Sequence, residues 1–471
     1  MNNLKLSSIA IFIIMLAACQ NTNISTSSKV DIPEQFEYTT SQQTKNNFNE
    51  IQKWWLNWHN PQLNELIEEG LKNNLDIAIA QMRLREALAN SRLADADLGP
   101  MIGLGGNIGR SEINLDSNII NPDSVSINNA SVALNMSWEP DIFGKKRSDA
   151  DMAKEAALGY QEKVYGTQLL ITSQIAENYF KIHAIEEQSA VITQGINTLK
   201  QLARYVQGRF QTGQATSYEI EEVTQKISLL QAQQTTLEAQ ADYLQRNIAI
   251  LLGKTPQNFH IQKTKNIFSN IPKAPQGIIP SSVIERRPDI RANTHIIRAN
   301  MAKLASAKAD LLPRFSIHFL GRSGRIELND DLANVSGVGG LFGIGIQLPI
   351  FTNGRIQANI DNADASLKVA LIQYDKTLLT ALGEVDSAYQ MQAALIKQTQ
   401  LLEKAYKQAT TQANNAQKLF TYGEKTLDVA LRARLTSLEY QQKIIQSRLA
   451  STENLLNLYK ALGGGWTEEG K

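Results

Sequence analysis

Residues 402–426 read LEKAYKQATTQANNAQKLFTYGEKT, and their spacing decides the fold. Leu402, Tyr406, Ala409, Ala413, Ala416 and Phe420 fall on one stripe, in steps of 4, 3, 4, 3 and 4. That is the seam of a helix packed along its length against other helices. The run from Thr421 to Thr426, with Gly423 inside it, breaks the helix, and a second periodic run continues to Leu462. Subtracting 210 returns Ile192, Ile196, Leu199, Ala203, Val206 and Phe210 in the same register, with the break repeated at Gly213 and Thr216. A duplicated helix–turn–helix of this length sets the architecture before any motif is read.

Working outward, the first long helix is predicted from Lys145 to about Gln211, and at 1.5 Å per residue it would be about 100 Å long. Its return helix runs from about Ala215 to Leu252 and stops at Gly253-Lys254-Thr255-Pro256. The second pair covers about 354–420 and on to Leu462. Each half also opens with a helix. Pro61 starts one that runs to about Leu98, before Gly99-Pro100. Ser281-Ser282 cap another, from Val283 to Leu312, which Pro313 stops. Pro256, Pro272, Pro275 and Pro280 mark 256–281 as the linker between repeats 51–255 and 282–465, with 466–471 as a tail.

Between the opening helix and the long helix the period falls to two, once per half. Strands are predicted at about 101–112, 127–139, 313–325 and 337–349. Val132, Leu134, Met136 and Trp138 alternate with Ala133, Asn135 and Ser137; Phe315, Ile317 and Phe319 alternate with Arg314, Ser316 and His318. Val338, Phe342, Ile344, Ile346 and Leu348 share the apolar face of the last strand. Apolar residues on one face and Gly or small polar residues on the other describe a membrane barrel wall. Four strands cannot close, since about eight are needed, so the barrel must be shared, and three chains would supply twelve.

At the N-terminus, Lys5, the apolar run Ile9–Leu16 and then Leu16-Ala17-Ala18-Cys19 read as a secretion signal, 1–18. Leu-Ala-Ala-Cys resembles a lipobox, which makes Cys19, the sole cysteine, the expected carrier of a covalent lipid. Gln20 follows, not Asp, which among lipoproteins resembles the pattern sorted to the outer membrane. Residues 19–50 then read as lipid anchor and extended tether.

Other readings fare worse. A net charge of +1 gives no pull toward nucleic acid. His59, His183, His260, His295 and His318 lack metal spacing, so no metal or cofactor is expected. The glycine clusters 103–109 and 337–343 sit in strand pattern with no helix directly after them, which suits curved strands better than nucleotide loops. Trp54, Trp55 and Trp58 read as packing at a helix start. No nucleophile motif stands out, so no enzyme is expected.

Several separate motifs resemble one family. They are Trp54-Trp55 with Pro61-Gln62-Leu63, Ser137-Trp138-Glu139-Pro140-Asp141-Ile142-Phe143-Gly144, Arg286-Arg287-Pro288-Asp289-Ile290-Arg291, Leu312-Pro313, and Leu348-Pro349-Ile350-Phe351 with Gly354-Arg355. Over about 50–465 the chain resembles the outer-membrane factors, the TolC-like outer-membrane channel lipoproteins of tripartite efflux systems. The resemblance implies a mainly α fold with a membrane β-barrel, built from two homologous halves, each helix, two strands, long helix and shorter helix. It implies a homotrimer with a twelve-stranded barrel continuous with a periplasmic α-helical barrel. The implied partners are outer-membrane lipid, a periplasmic adaptor and an inner-membrane pump, and the cargo is drugs, toxic compounds or metal ions. Protein secretion, or a pore-free lipid-anchored periplasmic coiled coil, are the alternatives.

In the family the channel closes at the turns between long and short helices. Gly213 and Thr216, with Gly423 and Thr426, are therefore the candidate adaptor-docking positions. Family members carry rings of acidic residues shortly after the second turn. Here Asp428 stands one position off the commoner place; Arg432 stands nine positions after Gly423, where many members have Asp, and Arg434 follows it. A ring of Arg432 would repel cations. Alternatively Asp428 pairs with Arg432 at i, i+4 on a solvated helix face.

Overall fold

The computed structural model describes residues 28, 30–38, 51–114, 124–264, 267–328 and 333–464; Cys19 and the signal segment lie outside them. After a short 3₁₀ turn, Trp54–Trp58, the first half contains α1 (Pro61–Asn73), α2 (Leu75–Ala96), β1 (Met101–Asn114), β2 (Ser124–Trp138), α3 (Lys145–Gln211) and α4 (Ser217–Leu251). The second half, after a 3₁₀ turn at Ile267–Asn270, contains α5 (Pro280–Arg286), α6 (Pro288–Ala309), β3 (Arg314–Leu328), β4 (Ala333–Gln347), α7 (Arg355–Thr421) and α8 (Leu427–Ala461). The fold is mainly helical with a small β domain. Helices α3 and α7 each have 67 residues, and α4 and α8 each have 35, so the repeat is held to the residue. Each long helix starts after a glycine in the left-handed region, Gly144 (φ 80°) or Gly354 (φ 78°).

Two opening helices expected to be continuous are each broken. Asn74, extended at φ −65°, ψ 132°, separates α1 from α2. Its side-chain oxygen accepts from the backbone N–H of Asp76 (2.9 Å) and Ile77 (3.1 Å), while its amide donates to the Leu251 carbonyl at 2.8 Å. A buried asparagine thus caps one helix and ties down the end of another. In the second half the break is Arg287, pushed to ψ 120° because Pro288 disfavours helix in the residue before it. The start there is also displaced from the Ser281-Ser282 cap: Pro280 is the first helical residue, and Ser282 instead donates to the Ile279 carbonyl at 2.8 Å.

Arg287 uses this break. Its guanidinium donates to both oxygens of Asp289 (3.0 and 2.7 Å), to Glu384 of α7 (2.7 Å) and to the Ala461 carbonyl at the end of α8 (3.1 Å). One buried fork therefore joins α6, α7 and α8. Arg287→Ala is expected to lower stability by about 2–3 kcal/mol, read as an earlier loss of helical circular dichroism on heating. Arg287→Lys should recover only part of it, because an ammonium cannot make the fork.

The helices lie side by side. Toward the sheet, α3 packs between α2 and α6, and α6 packs on α7; away from the sheet, α3 packs between α4 and α8, and α8 on α7. Each level is an arc of four helices with α7 at one margin and α2 or α4 at the other. The main core lies midway, where Trp54, Trp58, Phe180, Phe268 and Tyr459 pack together. Trp54, fully buried, stacks on Tyr459 at 5.7 Å, so the tryptophan cluster is packing. A second cluster near the helical tip joins Leu199, Leu202 and Val206 of α3 to Val223 of α4 and Leu431 of α8. The two seams are filled differently: bulky Ile192, Ile196, Leu199 and Val206 are buried in α3, while Ala409, Ala413 and Ala416 are buried in α7. Part of the expected tether is packed. Phe36 is buried in the main core, Ser28 bonds Asp375 at 2.6 Å, and the Glu37 N–H donates to Asp386 at 2.9 Å, both on α7.

Candidate functional site: a two-faced sheet and a helical tip

The four strands form one antiparallel sheet in the order β1-β2-β3-β4. Directly paired residues share a face. One face is apolar row after row: Trp138–Ile317–Ile344, Ile102–Met136–Phe319–Phe342 and Leu104–Leu134–Gly321–Gly340. Beyond Val132 and Val338 this face turns polar, at Arg325 and then the row Arg110–Asn128–Glu327–Asn334. The other face alternates glycine with Asn107, Asn129, Ser131, Asn135, Ser316 and His318. The expected alternation holds for the residues named in β2, β3 and β4 except Leu348, which lies just past the end of β4; farther along, Leu320, Ile326, Val335 and Leu341 interrupt it on the glycine-rich face, and both glycine clusters lie inside strands β1 and β4. On the single chain Val338 is 86% exposed and Ile346 69%. An apolar patch of that extent in water marks a surface made for another medium. Among the described residues no helix is long and apolar enough to cross a membrane.

The base of the sheet gives the motif around Trp138 its physical meaning. The Trp138 indole donates to the Leu98 carbonyl at 3.0 Å, with Phe143 and Phe315 nearby at 6.4 Å between rings. Aromatic side chains with a polar tip bonded in this way suit a boundary between apolar and wet surroundings. Glu139 bonds Arg314 (2.9 Å) and Lys146 (3.7 Å), and Asp141 accepts from the N–H groups of Lys146 and Arg147, capping α3.

At the opposite end the long helices turn back. Both turns close alike: the Gln214 N–H reaches the Arg209 carbonyl (2.8 Å) and the Glu424 N–H reaches Leu419 (2.9 Å). Gly213 (φ 74°) and Gly423 (φ 76°) supply the left-handed residue this closure needs. The return helices then differ. Thr216 and Glu219 form a full capping box on α4, and Arg209 adds a 2.6 Å bond to the Gln214 carbonyl. At the equivalent positions α8 has Thr426 with no side-chain cap, Val429 and Leu419. The second turn is held by fewer polar contacts, and Leu419, Lys425 and Val429 line a groove of about 580 Å³ beside it.

The charges beyond the turn are not joined as the i, i+4 alternative has it. Arg432 reaches Glu222 on α4, at 3.4 and 3.5 Å, and Arg434 reaches Gln194 on α3 at 3.3 Å. Asp428 makes no ion pair among the described residues. Lys226 first, and Arg432 second, hold the Glu222 carboxyl below its ordinary range. Glu222 was not among the expected site residues, although subtracting 210 from Arg432 leads straight to it. Among the described residues no three His, Cys, Asp or Glu side chains cluster as metal ligands would.

An apolar-outside sheet on a long helical body defines the class as an outer-membrane channel subunit. The chain belongs to the outer membrane efflux protein family, whose model matches residues 66–253 and 279–464. This is a family of efflux ducts, located in the outer membrane. The chain is 27% identical over 475 residues to the pyoverdine export outer membrane protein OpmQ of Pseudomonas aeruginosa, covering all of this chain and 98% of the relative. It is 25% identical over 428 residues to the probable efflux pump outer membrane protein TtgC of Pseudomonas putida, covering 89% and 86%. A crystal structure of CusC matches with a TM-score of 0.76 at 25% identity, covering 92% of this chain and 97% of that one.

Proposed function

We propose that three copies of this chain close the sheet into a twelve-stranded outer-membrane barrel continuous with a tube of helices, serving as the exit duct of a tripartite efflux pump. The observation that carries it is a pair of edges: among the described residues β1 and β4 each pair on one side only. In lipid every unpaired backbone group costs several kcal/mol, so the edges must meet those of other copies. The helical arc has matching margins, so the rotation that brings β4 to the next β1 brings α7 to the next α2 and α4. Cargo comes from an inner-membrane pump through a periplasmic adaptor and consists of small molecules, in line with relatives named for pyoverdine export and for an efflux pump. Cys19 carries a lipid that holds the N-terminus at the membrane, and no cofactor takes part.

Two measurements test this. Detergent-extracted protein should have about three times the mass of one mature chain and conduct ions in a planar bilayer; a pore-free spacer would stay silent. Deleting the gene should sensitise cells to some antibiotics, dyes or metal salts, whereas an unchanged profile would favour protein secretion.

The turns at Gly213–Thr216 and Gly423–Thr426 are the adaptor-docking tip, and Asp428, Arg432 and Arg434 border the gate. The sparser bonding of the second turn supports assigning it the movable role. Exposed pairs such as Arg432–Glu222 add little stability, so Arg432→Asp should leave thermal stability within about 1 kcal/mol. It sets like charges against each other and should raise conductance and cation preference. Unchanged current and reversal potential would remove Arg432 from the pore.

A further inference from the structure

The glycine-rich face of the sheet has a one-sided charge. Over residues 101–111, 127–137, 314–328 and 335–347 its ionisable side chains are Arg314, His318 and Arg322, and none is acidic. Arg314 is neutralised at the base of the sheet by Glu139. Arg322 is exposed, sits about midway along β3, and among the described residues bonds the Ser131 hydroxyl alone, at 3.0 Å. Its row is Gly105–Ala133–Arg322–Gly339, and a Cβ added to Gly105 or Gly339 would meet nothing within 4 Å. Within the row, the partner residues Ala133 and Gly339 put no long side chain beside the guanidinium. One step toward the base, the neighbouring row presents Leu320 and Leu341 on the same face, the latter 67% exposed.

We propose that Arg322 forms a cationic ring inside the barrel that favours anions, and organic anions in particular. This rests on the trimeric-channel reading, which places the glycine-rich face around the lumen and sets three copies of Arg322 at one height. Like-charged rings repel ions of their own sign and concentrate the opposite one. The neighbouring leucines add apolar contact for the body of an organic anion, so the ring and the leucines together suit carboxylates or sulfonates with a hydrocarbon part.

The test uses full-length trimers of wild type, Arg322→Glu and Arg322→Lys in planar bilayers, under gradients of potassium chloride and of potassium benzoate. Salt is kept near 0.01 M, where the screening length is about 30 Å. Wild type and Arg322→Lys should pass chloride and benzoate in preference to potassium, and Arg322→Glu should lose that preference several-fold. Equal permeability ratios in wild type and Arg322→Glu would overturn the proposal while leaving the channel reading intact. Silence of all three proteins would instead remove the channel reading and this inference with it.

Discussion

Replacing Leu134 with Arg is expected to cost about 2–4 kcal/mol per chain, because it puts a charge near the middle of the apolar face of the sheet. Leu134 lies between Leu104 and Gly321 in the row, with Met136 and Val132 on either side along the strand. In a shared barrel the cost is paid once per copy, so assembly should fail well before the helices unfold. The measurement is the amount of heat-resistant oligomer recovered from the outer membrane. Asn135→Arg, one residue away on the glycine-rich face and paired with Leu320, is the control and should assemble normally. Equal yields for the two would show that the apolar face does not meet lipid.

Trp54→Ala is expected to be the most damaging single change outside the membrane, at about 3–5 kcal/mol. Its ring stacks on Tyr459 and meets Trp55 and Trp58 edge-on, at 5.7 and 5.8 Å. The Trp54 indole N–H has no hydrogen-bond partner among the described residues, so the loss is packing, with no bond to subtract. Leu56, in the same turn but 41% exposed, should tolerate Ala within about 0.5 kcal/mol. Loss of helical signal on heating reads both. A Trp54→Ala chain as stable as wild type would mean that the midway cluster does not hold the helices together.

Much of this was legible because lipid and long helix seams impose strict periods. Every second residue of a membrane strand must be apolar, so Val132, Leu134, Met136 and Trp138 announce their face without any partner in view. The seam at Leu402–Phe420 and its copy announce the helices in the same way. The breaks at Asn74 and Arg287 were harder. Both sit inside apolar helical patterns, and only Pro288 gave a local sign. Asn74 stops a helix because its amide finds the Leu251 carbonyl, 177 residues away, and no local pattern encodes such a partner. The same holds for Arg432: its position showed in the sequence, but whether Asp428 or Glu222 takes its charge is decided by how α4 and α8 are set beside each other on α3.

The Arg432–Glu222 pair also bears on symmetry. The two residues occupy equivalent places in the duplication, 210 apart. A ring of six interchangeable hairpins would present one residue type at that level, and like charges would face each other all the way round. Splitting the position into an acid and a base lets each chain satisfy the contact internally. It also makes the two hairpins of a chain non-equivalent, so in the proposed trimer the tip would have three-fold order, with three bonded junctions alternating with three boundaries between chains. A three-fold adaptor could tell the two kinds of groove apart by charge alone.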